Sequence, residues 1–343
     1  MTAYTTSNSV PLSALPTSSG VTQQFLVSSS NTGASTFAPD GLAAVPIFGL
    51  GGAALQGGEI IAGGVATLVS YVGSLLNSGS LCWVLVNCTG GAVQVAPATA
   101  SLQAAQFGQL TGVVGAMRNA KMSVPTASAS GTFTADEIIV ETALGGLQYK
   151  LSSYSKTINL ATTGAGGMDA GTAPASGFVA LYAILNPATG VSSILATNAT
   201  SAIAPSIYGG ANMPSGYTAS ALISVVPTNA SSQFAPFSQI DRHVDVSFVM
   251  VLSGGGATVP TPVSLAAVVP KNAVMWGGFG VSDRASGEFG LSPAGTSLGQ
   301  IQIGSSSGAV TASIAGMRIV TPQTTYYSAV VAAIYLTASS YDF

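Results

Sequence analysis

Short apolar runs, broken by glycine, proline and Asn/Asp pairs, recur along the chain. Where a period is visible, it is two. In His243–Leu252, Val244, Val246, Phe248, Met250 and Leu252 fall on one face, with His243, Asp245 and Ser247 on the other. Phe178–Leu185 is apolar at every position and predicts a strand buried on both sides. Asn186-Pro187-Ala188-Thr189-Gly190 then predicts a hairpin into Val191–Ala196. Earlier strands are expected at Gln24–Val27, Ala43–Phe48, Ile60–Ser70, Leu81–Asn87 and Ala92–Val95, and a further one at Thr218–Val226. The last expected strands are Ala273–Val281, Glu288–Leu291, Leu298–Ile303, Ile314–Val320 and Tyr326–Leu336. The pattern predicts an all-β, multidomain chain.

Changes of texture suggest the boundaries. Residues 1–20 are rich in Ser, Thr and Pro without a period and read as an extended N-terminal arm. Residues 21–96 read as a small β domain. Residues 97–131 read as a connector, with Leu110, Val113 and Met117 at helical spacing and a linker from Arg118 to Gly131. Residues 132–253 form a middle β domain. After Gly254-Gly255-Gly256, residues 254–343 suit a β-sandwich of jelly-roll type.

Composition sharpens the picture. Of 343 residues 48% are hydrophobic, only 6% are charged and 42 are glycine. Helical bundles draw on Ala, Glu, Lys, Leu and Arg, and disordered chains need more charge, so both are disfavoured. The eight basic residues are scattered and the net charge is −3, which leaves no stripe for nucleic acid. Long tracts carry no charge, among them 170–240. Either a membrane or other copies of the same chain must cover such a surface. Ile60–Leu76 is uncharged but short for a spanning helix and interrupted by glycine. The first residues have neither the basic nor the apolar region of a signal peptide. Cys82 and Cys88 are expected on one strand, roughly 20 Å apart and unbridged.

Chemistry is sparse. Asp241 and Asp245 would share a strand face about 13 Å apart, too far for the carboxylate pair of a glycosidase. His243 is the only histidine, and no nucleophile elbow or phosphate loop occurs. No catalytic residue, metal or cofactor is expected. Recognition remains: Tyr208, Asn212 and Tyr217 belong to the loop YGGANMPSGY, and Trp276, Asp283, Arg284 and Glu288 to a second cluster. Either could form a shallow binding site at a loop tip; equally, the aromatic residues could fill a core poor in aromatics.

Several stretches resemble tail fibre proteins of tailed bacteriophages and phage-like particles. In residues 41–109 these are Ala53-Ala54-Leu55-Gln56-Gly57-Gly58-Glu59-Ile60, Trp83-Val84-Leu85, Thr89-Gly90-Gly91-Ala92, Pro97-Ala98-Thr99, Ser101, Ala104 and Gly108-Gln109. Gln103 stands where the family pattern often has His. Phe133–Ile240 adds Thr142-Ala143-Leu144-Gly145-Gly146, Thr163-Gly164-Ala165-Gly166-Gly167-Met168-Asp169 and Tyr208-Gly209-Gly210-Ala211-Asn212. Thr321-Pro322-Gln323-Thr324 and the Tyr341-Asp342-Phe343 end resemble a terminal fibre domain. The resemblance implies an elongated homotrimeric fibre of the virion tail, assembled in the host cytoplasm. Its N-terminal region would attach to a baseplate or tail protein. Its C-terminal tip would adsorb to a bacterial surface glycan or outer-membrane protein, without catalysis. A tailspike-like polysaccharide depolymerase and a virion shell or decoration protein are the alternatives.

Overall fold

The computed structural model describes residues 2–96, 103–104, 112–283, 288–296, 298–304, 309–330 and 333–343. It is nearly all β and divides into two compact units, Met1–Thr111 and Gly112–Phe343. Among the described residues no helix is long and apolar enough to cross a membrane.

The first unit is one mixed sheet. Its strands are β1 (Thr2–Thr6), β2 (Thr22–Leu26), β3 (Ser35–Pro39), β4 (Val45–Phe48), β5 (Val65–Tyr71) and β6 (Cys82–Cys88), ordered β1-β3-β4-β6-β5-β2. Alternation places Phe25, Phe37, Ile47, Leu68 and Trp83 in one core. Phe37 stacks on Phe25 and meets Trp83 edge-on, at 5.0 and 5.4 Å between centroids. The expected N-terminal arm is partly a strand. β1 pairs in parallel with β3 and buries Tyr4, whose hydroxyl donates to the Ser29 carbonyl at 2.9 Å. Ile60–Leu76 is not a helix: its central residues are β5. Ala92–Val95 is not a strand. Cys82 and Cys88 lie at the two ends of β6, buried and free.

The second unit begins inside the expected connector. Met117–Arg118 (β7) and Lys121–Val124 (β8) are strands, so no helix forms over 112–118 and Arg118–Gly131 is not a free linker. The rest of the helical stripe, including Leu110, lies outside the described residues. Then come β9 (Ser130–Glu141), β10 (Gln148–Asn159), β11 (Phe178–Asn186), β12 (Val191–Asn198), β13 (Ala219–Pro227), β14 (Phe237–Ile240) and β15 (His243–Gly255). The remaining strands are β16 (Thr261–Ser264), β17 (Met275–Ser282), β18 (Glu288–Ser292), β19 (Ile301–Gly304), β20 (Val310–Arg318), β21 (Thr324–Val330) and β22 (Ile334–Asp342).

Twelve of these strands share one sheet. Its main path is β12-β11-β13-β9-β8-β14-β15-β22-β17-β20, with β10 and β7 also pairing β9. A second sheet runs β16-β21-β18-β19. Phe289, Leu291, Tyr327 and Ala329 of the small sheet share a core with Trp276, Ile314, Leu336 and Ala338 of the large one. The expected boundary at 253/254 is therefore crossed twice. β15 continues to Gly255, which pairs with Ile334, and the C-terminal strand β22 returns beside β15. Gly254 takes φ 67° in an irregular stretch of the pairing between Leu252 and Gly255, and the strand continues through it.

Two local expectations hold. Phe178–Leu185 is buried at every position, between β12 and β13. The turn after Asn186 closes with the Gly190 N–H on the Asn186 carbonyl at 2.9 Å, and Gly190 takes φ 70°. The expected face of β15 does not hold. Two extra residues of β15 stand between the pairs Asp245–Ser340 and Val249–Ala338. This bulge brings Val249 into register with Ala338 and leaves Phe248, Val249 and Met250 73%, 38% and 57% exposed.

Candidate binding surface

The loop between β12 and β13 is held from beneath by aromatic side chains. Tyr208 is buried and meets Tyr182 of β11 edge-on, with centroids 5.6 Å apart. Phe178 and Tyr182 point to this side because β11 buries alternate residues on opposite faces. The Tyr182 hydroxyl donates to the Pro205 carbonyl at 2.9 Å, and the Leu222 N–H of β13 donates to the Ser206 carbonyl at 2.9 Å. The Tyr208 N–H donates to Ser220 Oγ at 3.0 Å.

The Tyr208 hydroxyl sets what this loop presents. It donates to Asp169 Oδ2 at 3.0 Å and accepts from the Asn212 N–H at 3.1 Å. Asp169 reaches the position from the segment between β10 and β11, where its own N–H donates to the Ala196 carbonyl of β12 at 2.7 Å. Burial holds the Tyr208 hydroxyl above its ordinary pKa; the Asn212 N–H opposes this and the Asp169 carboxylate adds to it. The group stays a neutral donor. A side chain at Gly210 would collide with the Tyr208 hydroxyl, so glycine is required for the loop to pass this close. Asn212 is exposed, Asp169 is half-buried, and Tyr217 is half-buried against the aromatic cluster. The arrangement is a polar amide and a carboxylate over a rigid aromatic floor, suited to reversible recognition of hydroxyl-rich groups.

Of the second expected cluster, Trp276 does not reach the surface. Trp276 is fully buried, in register with Tyr341 and Met317, and fills the core between the two sheets. Asp283 is exposed and clamps the end of β17 to β22: its N–H donates to the Ala333 carbonyl at 3.2 Å and its Oδ1 accepts from the Ala333 N–H at 3.0 Å. Glu288 opens β18, exposed and in register with Gly304 and Val330. Arg284 lies outside the described residues. Nor do the clusters meet. The Tyr208 loop is tied to the start of β17, where Asn272 Oδ1 accepts from the Ala204 N–H at 2.9 Å and Lys271 Nζ donates to the Ser201 carbonyl at 2.6 Å. Asp283 follows the far end of that eight-residue strand, about 26 Å away along its length.

His243 lies between two carboxylates. Its Nδ1 lies 2.6 Å from Asp342 Oδ1 and its Nε2 3.2 Å from Asp245 Oδ1. Partial burial disfavours the charged ring, but the two carboxylates, Asp342 above all, outweigh it and raise the pKa. Among the described residues no group of three or more His, Cys, Asp or Glu side chains is placed to hold a metal ion.

Comparison of the chain with family models, with curated proteins and with solved structures finds no match.

Proposed function

We propose that the chain is a receptor-binding tail fibre protein of a tailed bacteriophage or phage-like particle. It acts as an elongated homotrimer in the virion tail. Its first unit attaches to a baseplate or tail protein. Its second unit, with a tip of jelly-roll type, adsorbs to a bacterial surface glycan or outer-membrane protein by binding alone. The observation that carries this reading is the Tyr208 loop, in which a buried aromatic floor fixes Asp169 and an outward Asn212. That loop falls within a stretch resembling fibre proteins, on an all-β scaffold with only 6% charge. What weighs against the depolymerase alternative is that Asp283 Oδ1 is engaged by the Ala333 N–H.

The reading is tested with the intact chain, fluorescently labelled and mixed with a panel of bacterial cells. Saturable binding to particular strains, and competition with adsorption of the particle to them, is the expected result. Binding to none of a broad panel would refute it. Release of reducing sugar from surface polysaccharide would replace it with the depolymerase.

A further inference from the structure

The large sheet has an outer face, away from the small sheet, formed by β15, β22, β17 and β20. Strand register defines it. Met250, Thr337, Phe279 and Ser313 lie in one row across the four strands, and Tyr335, Val281 and Thr311 lie in a row two residues on. The intervening row, Leu252, Leu336, Gly280 and Ala312, faces the small sheet, where Gly280 abuts the Phe289 ring. Met250 is 57% exposed and Phe279 38%, and Phe248 in the neighbouring bulge is 73% exposed. With half-buried Tyr335 and Val281, these side chains present about 400 Å² of apolar surface, roughly half of what one partner contributes to a stable interface. Uncharged Thr311, Ser313 and Ala315 continue the same face.

Apart from exposed Asp283, held to Ala333 just beyond the last apolar row, the charges gather at the other end and are divided between its flanks. His243, Asp342, Met275 and Arg318 form one register row, with Asp245 in the next. The β15 flank is therefore anionic, through Asp245 and Asp342 around His243, while the β20 edge carries exposed Arg318. Opposite charges on opposite flanks of one neutral, apolar face fit a head-to-tail ring, in which the β20 edge of each copy meets the β15 flank of the next.

We infer that this face is the seam between copies of the chain, with Phe248, Met250 and Phe279 buried against the neighbouring copy and Arg318 set against its Asp245. The inference rests on the trimeric reading above and names its surface.

Mass measured by light scattering on the full chain separates the outcomes. The expected result is a trimeric wild type and a threefold lower mass for Phe248→Asp, with an unchanged circular dichroism spectrum. Phe248→Ser combined with Met250→Thr, which places polar residues at exposed sites only, asks the same question if the aspartate disturbs folding. Arg318→Asp should also dissociate the ring, and Arg318→Asp with Asp245→Arg should restore it. A trimeric wild type whose Phe248 and Met250 variants stay trimeric overturns the seam and leaves the fibre reading standing. A monomeric wild type overturns both.

Discussion

Asn31 and Glu59, distant in sequence, meet inside the first unit, with Asn31 Nδ2 2.8 Å from Glu59 Oε2. The carboxylate also accepts from the Gln56 and Gly57 N–H groups, each at 2.7 Å, and from Gln94 Nε2 at 3.0 Å. Asn31 Oδ1 in turn accepts from the Ile60 N–H at 2.9 Å. One buried charge thus fastens three loops of a unit in which charges are few.

Burial alone would raise the Glu59 pKa, yet the Asn31 amide and the other donors bring it down to about 2. A carboxylate depressed on folding stabilises above its unfolded value, near 4.3, and loses that contribution as pH falls toward 2. Glu59→Gln should cost about 2–3 kcal/mol at pH 7, because an amide N–H₂ must face donors that the carboxylate satisfied. The gap between variant and wild type should close on acidification. Urea unfolding at pH 7, 4 and 2.5 measures both, and a gap that does not change with pH would show that the charge is not what the donors hold.

Much of the β architecture is legible in the sequence because it follows from local pattern. Eight consecutive apolar residues before Asn-Pro-Ala-Thr-Gly leave few options besides a doubly buried strand and a hairpin, and β11 and β12 form them. β1 was not legible: TAYTT offers only Ala3 and Tyr4 as apolar side chains, and pairing with β3 makes it a strand. β15 misled because a bulge is set by the partner strand and leaves no mark on the alternation. In the candidate site, the loop was readable from its glycines and tyrosines, whereas Asp169 was not. Asp169 closes a stretch resembling fibre proteins and is the last charge before Asp241, but its contact with Tyr208 depends on the folded sheet. The pattern leaves Trp276 open between a binding cluster and the core, since core and surface tryptophans are alike without a strand register, and the register puts it in the core.

Packing between the two sheets gives a second prediction. A β-carbon added at Gly280 would lie 2.6 Å from the Phe289 ring and 3.1 Å from Leu336 Cδ2. Gly280→Ala should therefore destabilise the second unit by about 1–3 kcal/mol through overpacking. Phe289→Leu removes the obstructing ring edge. The double variant should be more stable than the sum of the single changes allows, with a coupling of about 1 kcal/mol. Strict additivity in chemical denaturation would mean that the two side chains do not meet.

His243 ties the start of β15 to the end of β22, and its pKa is raised by Asp342 and Asp245. Arg242 is the neighbouring cation, turned away so that its guanidinium donates to the Gly115 carbonyl at 2.9 Å and lies 5.2 Å from the Phe343 ring centre. A raised pKa contributes stability that is complete below about pH 6.5 and disappears as pH climbs through the folded value. His243→Gln should therefore be less stable than wild type at pH 5.5 and nearly equal to it at pH 9. The site is about half open to solvent, so the difference should stay under about 1 kcal/mol and shrink in salt. Equal melting temperatures at pH 5.5 would remove the ion pair from consideration.

The final prediction concerns the Tyr208 loop. Asn212 is exposed and only its backbone N–H engages Tyr208, so Asn212→Ala removes an outward amide without touching the core. If the loop is the recognition surface, cell binding should fall at least tenfold while the melting temperature stays within a degree or so, as surface substitutions usually allow. Tyr208→Phe acts from the other side. It keeps the aromatic packing on Tyr182 but releases the Asn212 N–H and Asp169 Oδ2, while Asp169 Oδ1 keeps the Ala170 N–H at 2.8 Å. Binding should weaken because the loop must then be ordered on contact, at a cost of about 1 kcal/mol per residue fixed. Unchanged binding in both variants would move the recognition surface away from this loop. Loss in Asn212→Ala alone would keep the amide as a contact and deny Tyr208 its positioning role.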